Sequence, residues 1–454
     1  MSLADAISQL SPTFTGQLLQ PNDTGYDDAR RVHNGLIDKR PALIARCQGT
    51  ADVVDAVKLA RTLGLEVAVR GGGHNVAGRA TIDNGLMIDL APMKGIFLDP
   101  RQRTVRAQGG VLWKELNRET QAHGLATTGG VVGTTGIAGL TLGGGLGWLM
   151  PKYGLALDNL RAAELVMADG SVRRVSATED PDLFWAIRGG GGNFGVATWL
   201  EFELYPVGPT IVGGLVAHPF SAARDVLRFY RDFTASLPDD LTVFAGLLHA
   251  PDGSGAKLAA IIAVHAGALD AGATAVAPLK RFGSPVMDVI GPMPYSAANM
   301  MFDAGFPKGA LNYWKSNFLA TLKDEAIDTL IERFAAAPSP MNGLLLEHFH
   351  GAATRVSPTE TAFPHRSVGY NFLAVGEWVD SAQTAPNVAW TREAYAAMRP
   401  HFAEGRYVNY LNAEEMNEGG AVESAFGPNW RRLREVKRCY DPDNVFHLNQ
   451  NIKP

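Results

Sequence analysis

The sequence predicts an α+β fold, and three observations carry the prediction. The stretch 41–70 alternates apolar strand, amphipathic helix and apolar strand, a β-α-β unit. Glycine gathers at 71–78, 129–147 and 189–195 rather than spreading through the chain. From about residue 207 the glycine clusters stop, and strand-like and helix-like segments take on the look of an antiparallel sheet backed by helices.

In chain order, residues 1–35 are polar and weakly periodic. Pro41 to Cys47 reads as a strand. Thr50 is placed to N-cap a helix carrying Val53, Val57, Ala60 and Leu63 on one face, with Gly64 just past its end. A strand at Glu66–Val69 then delivers the turn Arg70-Gly71-Gly72-Gly73-His74-Asn75. Short strands follow at Leu86–Leu90, Gly95–Asp99 and Thr104–Gln108, then a helix over Leu112–His123. Ala163–Ala168 and Ser171–Val175 form a hairpin around Asp169-Gly170. Asp182–Ile187 reads as helix and Val196–Leu204 as strand, ended by Pro206. In the next region Ile211–Val216, Leu241–Leu248, Lys257–Val264, Leu344–Phe349 and Tyr370–Val375 are strand-like. Ser221–Leu237, Asp324–Ala336 and Ala389–Met398 are helix-like. A different pattern begins at Tyr407.

Composition excludes several classes. The 46% hydrophobic and 19% charged content supports a sizeable core. A formal net charge of −5 without a Lys/Arg run favours neither nucleic acid nor a membrane surface. Cys47 and Cys439 make no disulfide framework and no zinc spacing, and no metal site is expected. No secretory leader and no membrane-spanning run is seen, so a cytoplasmic location is expected.

The glycine runs carry the chemistry. Glycine lets backbone take φ > 0 and lie against a ligand, and successive N–H groups in such a turn form an anion nest. A histidine beside that nest suggests a large phosphorylated cofactor with the imidazole near its reactive part. Gly190-x-Gly192-x-x-Gly195 matches the dinucleotide string, but a strand follows it where a helix is required, so a Rossmann reading fails. No P-loop is present. Three clusters within one region suit an extended cofactor touched by backbone at several points.

Six motifs stand in order: Arg70-Gly-Gly-Gly-His74-Asn75; Gly143-Gly-Gly-Leu-Gly147; Lys152 to Asn159; Asp182 to Gly195; Tyr407-Val-Asn409-Tyr410; and Asp441-Pro-Asp-Asn444-Val-Phe446. Together they resemble the berberine-bridge-enzyme-like branch of FAD-linked oxidases, in the vanillyl-alcohol oxidase / p-cresol methylhydroxylase superfamily. The resemblance implies a two-part FAD-binding domain of vanillyl-alcohol-oxidase type, from residues 1–206 (PCMH-type from about 36) and 405–454. A substrate domain of antiparallel sheet and helices occupies 207–404.

By the same resemblance His74 is the histidine bonded to the flavin. The family's second attachment cysteine falls at Val132, so a single covalent link is expected. Arg70, Gly71, Gly72 and Gly73 are expected on the pyrophosphate side. Further flavin contacts are expected at Asn75, Gly78, Gly130, Thr134, Thr135, Gly136, Gly139, Leu140, Gly144, Gly147, Asp158, Asn159, Gly192, Asn193, Gly195, Val196, Tyr407, Asn409, Asn449 and Asn451. Tyr410 matches a catalytic tyrosine. To act as a base it needs a depressed pKa, with Arg366, Lys315 and His350 as candidate helpers. Strand alternation would put Tyr407 and Asn409 on one face and Tyr410 on the other. Tyr313, Lys315, His348, His350 and Arg366 are candidate substrate residues, the two histidines at i, i+2 on a strand. The implied activity is an FAD-dependent oxidase that takes a hydride from an alcohol to flavin N5 and is reoxidised by O2 to H2O2. The candidate alcohols are a sugar, an oligosaccharide or a secondary metabolite such as a polyketide. A flavin dehydrogenase or oxygenating flavoenzyme of the same fold, or a flavin-holding protein without turnover, stays open.

Overall fold

In the computed structural model, which describes residues 2–417 and 419–454, the β-α-β unit forms as its pattern predicts. The strands Leu43–Arg46, Leu86–Asp89 and Val67–Arg70 lie parallel in that order, and Gln17–Leu19 adds an antiparallel edge. Leu43, Ile44, Leu86, Met87 and Ile88 are fully buried, as strands covered on both faces require. The helix Thr50–Leu63 packs Val53, Ala56, Val57 and Ala60 inward and stops at Gly64, whose φ of +64° is left-handed. Thr50 is not its cap. It is the first helical residue, and its hydroxyl donates to Glu164 Oε1 at 2.7 Å, so the N-cap falls on Gly49.

A second, antiparallel sheet runs Ile96–Asp99, Thr104–Gln108, Val196–Glu203, Leu160–Val166, Val172–Ser176. Pro206 does not end the chain's pairing, because Tyr205–Pro206 forms a two-residue ladder with Leu125–Ala126. Within 129–147 the chain is not all loop, since Ile137–Gly143 is helical.

The third sheet is the large one. Its order is Met287–Asp288, Thr210–Pro219, Lys257–His265, Leu241–His249, Gly343–Phe349, Gly369–Trp378, Leu311–Leu319, with Gly291–Pro294 also pairing on Thr210–Pro219. One face, with Leu344, Leu346, Phe372 and Ala374, packs on the helices Ala223–Thr234, Asp324–Ala335 and Thr384–Met398. The other face bears Phe244, Leu345, Glu347, Asn371 and Leu373. Register places Glu347 directly across from both Phe244 and Asn371.

Two elements carry no clear pattern in the sequence. Leu311–Leu319 buries the polar side chains of Asn312, Lys315, Ser316 and Asn317, so its alternation is masked. Leu269–Arg281 is helical despite Gly272 and Pro278.

The C-terminal segment returns to the first half. Val408, Leu411, Phe426, Leu433 and Ile452 share an apolar cluster with Val105, Trp113, Leu183 and Phe202. The motif at 441–446 explains itself here. Buried Asp441 accepts from the N–H groups of Val445 and Phe446 and pairs with Lys437, whose Nζ also donates to Asn193 O at 2.6 Å. This ties the chain's end to the third glycine cluster. Among the described residues no helix is long and apolar enough to cross a membrane.

Candidate active site

The three glycine clusters line one cleft, together with the C-terminal Asn449 and Gln450 and the inner face of the large sheet. The first cluster is placed by the strand Val67–Arg70. Gly72 meets Gly136 backbone to backbone; a Cβ on Gly72 would lie 2.3 Å from Gly136 N, so only glycine permits the approach. Among the described residues, the N–H groups of Gly72, Gly73, His74 and Asn75 donate to no backbone carbonyl. Unused donors in a glycine turn suit an anionic ligand.

His74 opens onto this cleft. Its Nε2 lies 2.8 Å from Thr134 Oγ1, and its ring stacks on His33 at 3.7 Å between centroids, 23° from parallel. Burial pushes the His74 pKa down to about 3 and that of His33 to about 4. Both rings are therefore neutral near pH 7.

Arg70 corrects an expectation. Its guanidinium turns away from the cleft and grips Asp89 in a bidentate pair, with Nη1 on the carbonyls of Ala29 and Arg31. It braces the turn from behind instead of offering charge to a phosphate, because buried Asp89 claims it.

Gly130, Thr135, Gly136, Gly139, Leu140, Gly192, Gly195 and Val196 line the cleft with Gly71–Gly73 and Asn75. Gly139 faces open space, where a Cβ would meet nothing within 4 Å. The remaining expected contacts lie behind this wall. Gly78 backs onto Ile37, Gly144 onto the Tyr407 ring and Gly147 onto Gly129 O. Asn159 holds the carbonyls of Tyr153 and Leu155, and Asn193 those of Gly190 and Gln450. Asp158 pairs with Arg366. Asn451 stays off the lining while Asn449 is on it, its Nδ2 on Gly192 O. Val132 also lines the cleft.

At the other end stand Tyr407, Asn409 and Tyr410. They do not lie on a strand. Val408–Tyr410 is a 3-10 turn, which brings i and i+3 onto one side. Tyr407 and Tyr410 thus meet at 4.9 Å, edge to face, and all three residues reach the cleft. Tyr407 OH accepts from Gly145 N–H at 2.9 Å and from Asn409 Nδ2 at 3.0 Å.

Tyr410 OH donates to Glu347 Oε1 at 3.2 Å, and Asn371 Nδ2 donates to Glu347 Oε2 at 2.6 Å. Burial raises the Glu347 pKa to about 7, against the two hydrogen bonds that lower it. Burial and the neighbouring carboxylate hold the Tyr410 phenol well above its usual value. The expected depressed tyrosine is therefore overturned, and its expected helpers are elsewhere. Arg366 serves Asp158, Thr361 and Ala353 O. Lys315 lies 3.5 Å from Glu415 and over the Tyr395 ring. His350 Nε2 meets Leu241 O, with His348 stacked on it. Tyr313 is bound by Glu414 and Arg392. None of these five lines the cleft. Among the described residues no cluster could hold a metal ion.

Glu347 is the residue that sequence reasoning missed. Its signal was present: an ionisable side chain inside the apolar strand Leu344–Phe349. Phe244 lies directly across from it, and Ile262, Phe302, Phe306, Trp314 and Leu373 line the same cleft. The glycine-walled length of the cleft, with the unused N–H donors of its first turn, suits a dinucleotide cofactor.

Comparison with known proteins agrees with this geometry. Residues 41–176 match the family model described as FAD binding domain, and 406–453 the one described as berberine and berberine like. The chain is 34% identical to (R)-6-hydroxynicotine oxidase of Paenarthrobacter nicotinovorans over 97% of both proteins. It is 30% identical to an FAD-linked oxidoreductase of Dictyostelium discoideum, over 91% of this chain and 89% of that one. The crystal structure of 6-hydroxy-D-nicotine oxidase from Arthrobacter nicotinovorans superimposes with a TM-score of 0.89 at 32% identity, covering 97% of this chain and 98% of that one. Physcomitrella patens BBE-like 1 shares the fold at a TM-score of 0.88 and 20% identity, covering 100% and 99%. Motifs, fold and relatives converge: the chain belongs to the berberine-bridge-enzyme-like family of FAD-linked oxidoreductases.

Proposed function

We propose that this enzyme is an oxidase with one covalent flavin bond, at His74, and that it oxidises a C–H bond of an apolar small molecule next to a hydroxyl or amine nitrogen. The bound flavin supplies the hydride acceptor and passes the electrons to O2, giving H2O2. The buried Glu347–Tyr410 pair at the apolar end of the cleft carries this reading. As a carboxylate, Glu347 takes the proton that leaves the substrate's O–H or N–H. A pKa of about 7 suits a base working near neutrality. Tyr410 keeps its proton, donates to Glu347 and orients it. At His74, Nε2 is engaged by the Thr134 hydroxyl at 2.8 Å, so Nδ1 is the nitrogen left for the flavin bond.

The walls around Glu347 favour an apolar secondary metabolite over a sugar. A sugar site needs several convergent hydrogen-bonding groups, whereas the cleft that holds this carboxylate is also lined by Phe244, Ile262, Phe302, Phe306, Trp314 and Leu373. The relative named for 6-hydroxynicotine supports the same direction. We also infer that residues 1–206 and 405–454 form the FAD-binding part, PCMH-type from about 36, with 207–404 the substrate domain. Support comes from the apolar cluster shared by the two ends and from a separate cluster drawn only from 212–402.

Two measurements test the proposal. Peroxide is quantified per substrate oxidised in air, and one H2O2 per turnover is expected. Turnover only with an added electron acceptor would make the enzyme a dehydrogenase. Acid precipitation should leave yellow protein for the wild type and colourless protein for His74→Ala. Colour lost from the wild-type pellet would rule out the tether.

A further inference from the structure

We propose that His33 is a positioning residue for the flavin tether: its stacked ring holds the His74 imidazole in the plane that carries Nδ1 to the cofactor. The inference rests on the reading of His74 as the attachment residue.

His74 follows three glycines, so no preceding side chain walls its ring. The outer torsion of a histidine is broad, and attachment demands one orientation. Two contacts supply it. Thr134 at 2.8 Å sets the rotation within the ring plane, and His33 at 3.7 Å sets the plane itself.

The His33 backbone is clamped to the same turn. Its N–H donates to Gly73 O at 3.0 Å, and its carbonyl accepts from Gly309 N–H at 2.9 Å. Arg70 fixes the chain just before it through Arg31 O, and Asn34 just after it bonds Val76 O and Asn312 O. These restraints straddle His74 on both sides. Meanwhile, among the described residues, His33 Nε2 is buried without a hydrogen-bond partner. That atom makes no bond that would explain the ring's placement, whereas the stack does.

Attachment replaces a flavin 8α C–H bond with a bond from that carbon to Nδ1. One hydrogen leaves the methyl group and one the imidazole N–H. O2 takes both with two electrons and becomes H2O2, so the flavin ends oxidised. A ring swung out of that plane would no longer present Nδ1 for the bond, while non-covalent FAD binding would persist.

The test compares holoenzyme from wild type, His33→Ala and His33→Phe. Flavin retained in the acid pellet and flavin fluorescence of the denatured band are measured per protein, with thermal melting to verify folding. Phe restores the stack without the nitrogens. His33→Ala is expected to retain roughly two- to ten-fold less covalent flavin, releasing the remainder as FAD on acidification. His33→Phe is expected to stay within about two-fold of wild type. Undiminished retention in His33→Ala overturns the proposal while leaving His74 as the tether. Equal loss in both variants also overturns it, because the stack would then be insufficient. A wild-type pellet without flavin would sink both readings together.

Discussion

Replacing Glu347 with Gln should make the protein more stable and nearly inactive. Gln keeps the shape and still accepts from Asn371, but it cannot take a proton from substrate. A positioned base contributes typically ~10²–10⁴-fold, so kcat should fall by about that factor. The stability arm follows from burial. The carboxyl has an ordinary pKa of 4.5 and is raised to about 7 in the fold. Below 4.5 it is neutral both folded and unfolded, and nothing is lost. Stability declines as pH rises from there through about 7, because the folded form resists the charge that the unfolded form accepts. The gap is worth about 3 kcal/mol above that pH. Gln does not titrate, so the melting temperature of E347Q relative to wild type should climb by several degrees between pH 4 and 8.5. The acid limb near pH 7 in the kcat/KM profile should vanish in the variant. Activity within three-fold of wild type at pH 8, or a melting difference that does not change with pH, would refute the assignment.

Four further substitutions separate the roles of other residues. Asn371→Leu and Tyr410→Phe each remove a hydrogen bond that lowers the Glu347 pKa, Asn371 being the larger cause. The acid limb of kcat/KM should move upward in both, further in Asn371→Leu; a downward shift would contradict the bonding. Gly72→Ala sets a Cβ 2.3 Å from Gly136 N. Forcing the two loops apart should cost about 1–3 kcal/mol, read as a lower melting temperature with FAD lost on gel filtration. Arg70→Ala leaves buried Asp89 with Arg46 at 3.2 Å and the Ala91 N–H at 2.9 Å, and should cost up to about 3–5 kcal/mol. The defect should be present in cofactor-free protein as well. Normal melting of that protein with weakened FAD binding would instead place Arg70 on a phosphate.

Much of the fold is legible from local pattern. Thr104–Gln108 is found as predicted, and Gly64 ends its helix through the left-handed backbone that glycine adopts at least cost. Legibility fades where burial is decided by distant chain. Leu311–Leu319 hides as a strand because its polar residues find partners far away, such as Glu415 for Lys315. Tyr407–Tyr410 reads as alternating strand from its residues alone, yet it turns as a 3-10 helix against Gly144 and Gly145, where the missing Cβ lets the Tyr407 ring in.

The amino-acid order by itself determined the β-α-β entry, the glycine clusters and the place of His74 at the end of a strand. These follow from side-chain periodicity and backbone freedom, which are local properties. The tertiary structure decided which charges are available and which residues meet. Arg70 became a brace once Asp89 lay beside it on a parallel strand. Glu347 became the ionisable centre of the cleft once register set it opposite Asn371 and the returning C-terminus laid Tyr410 on it. A carboxyl's chemistry depends on its desolvation and its partners, and in this enzyme both come from chain far away in sequence.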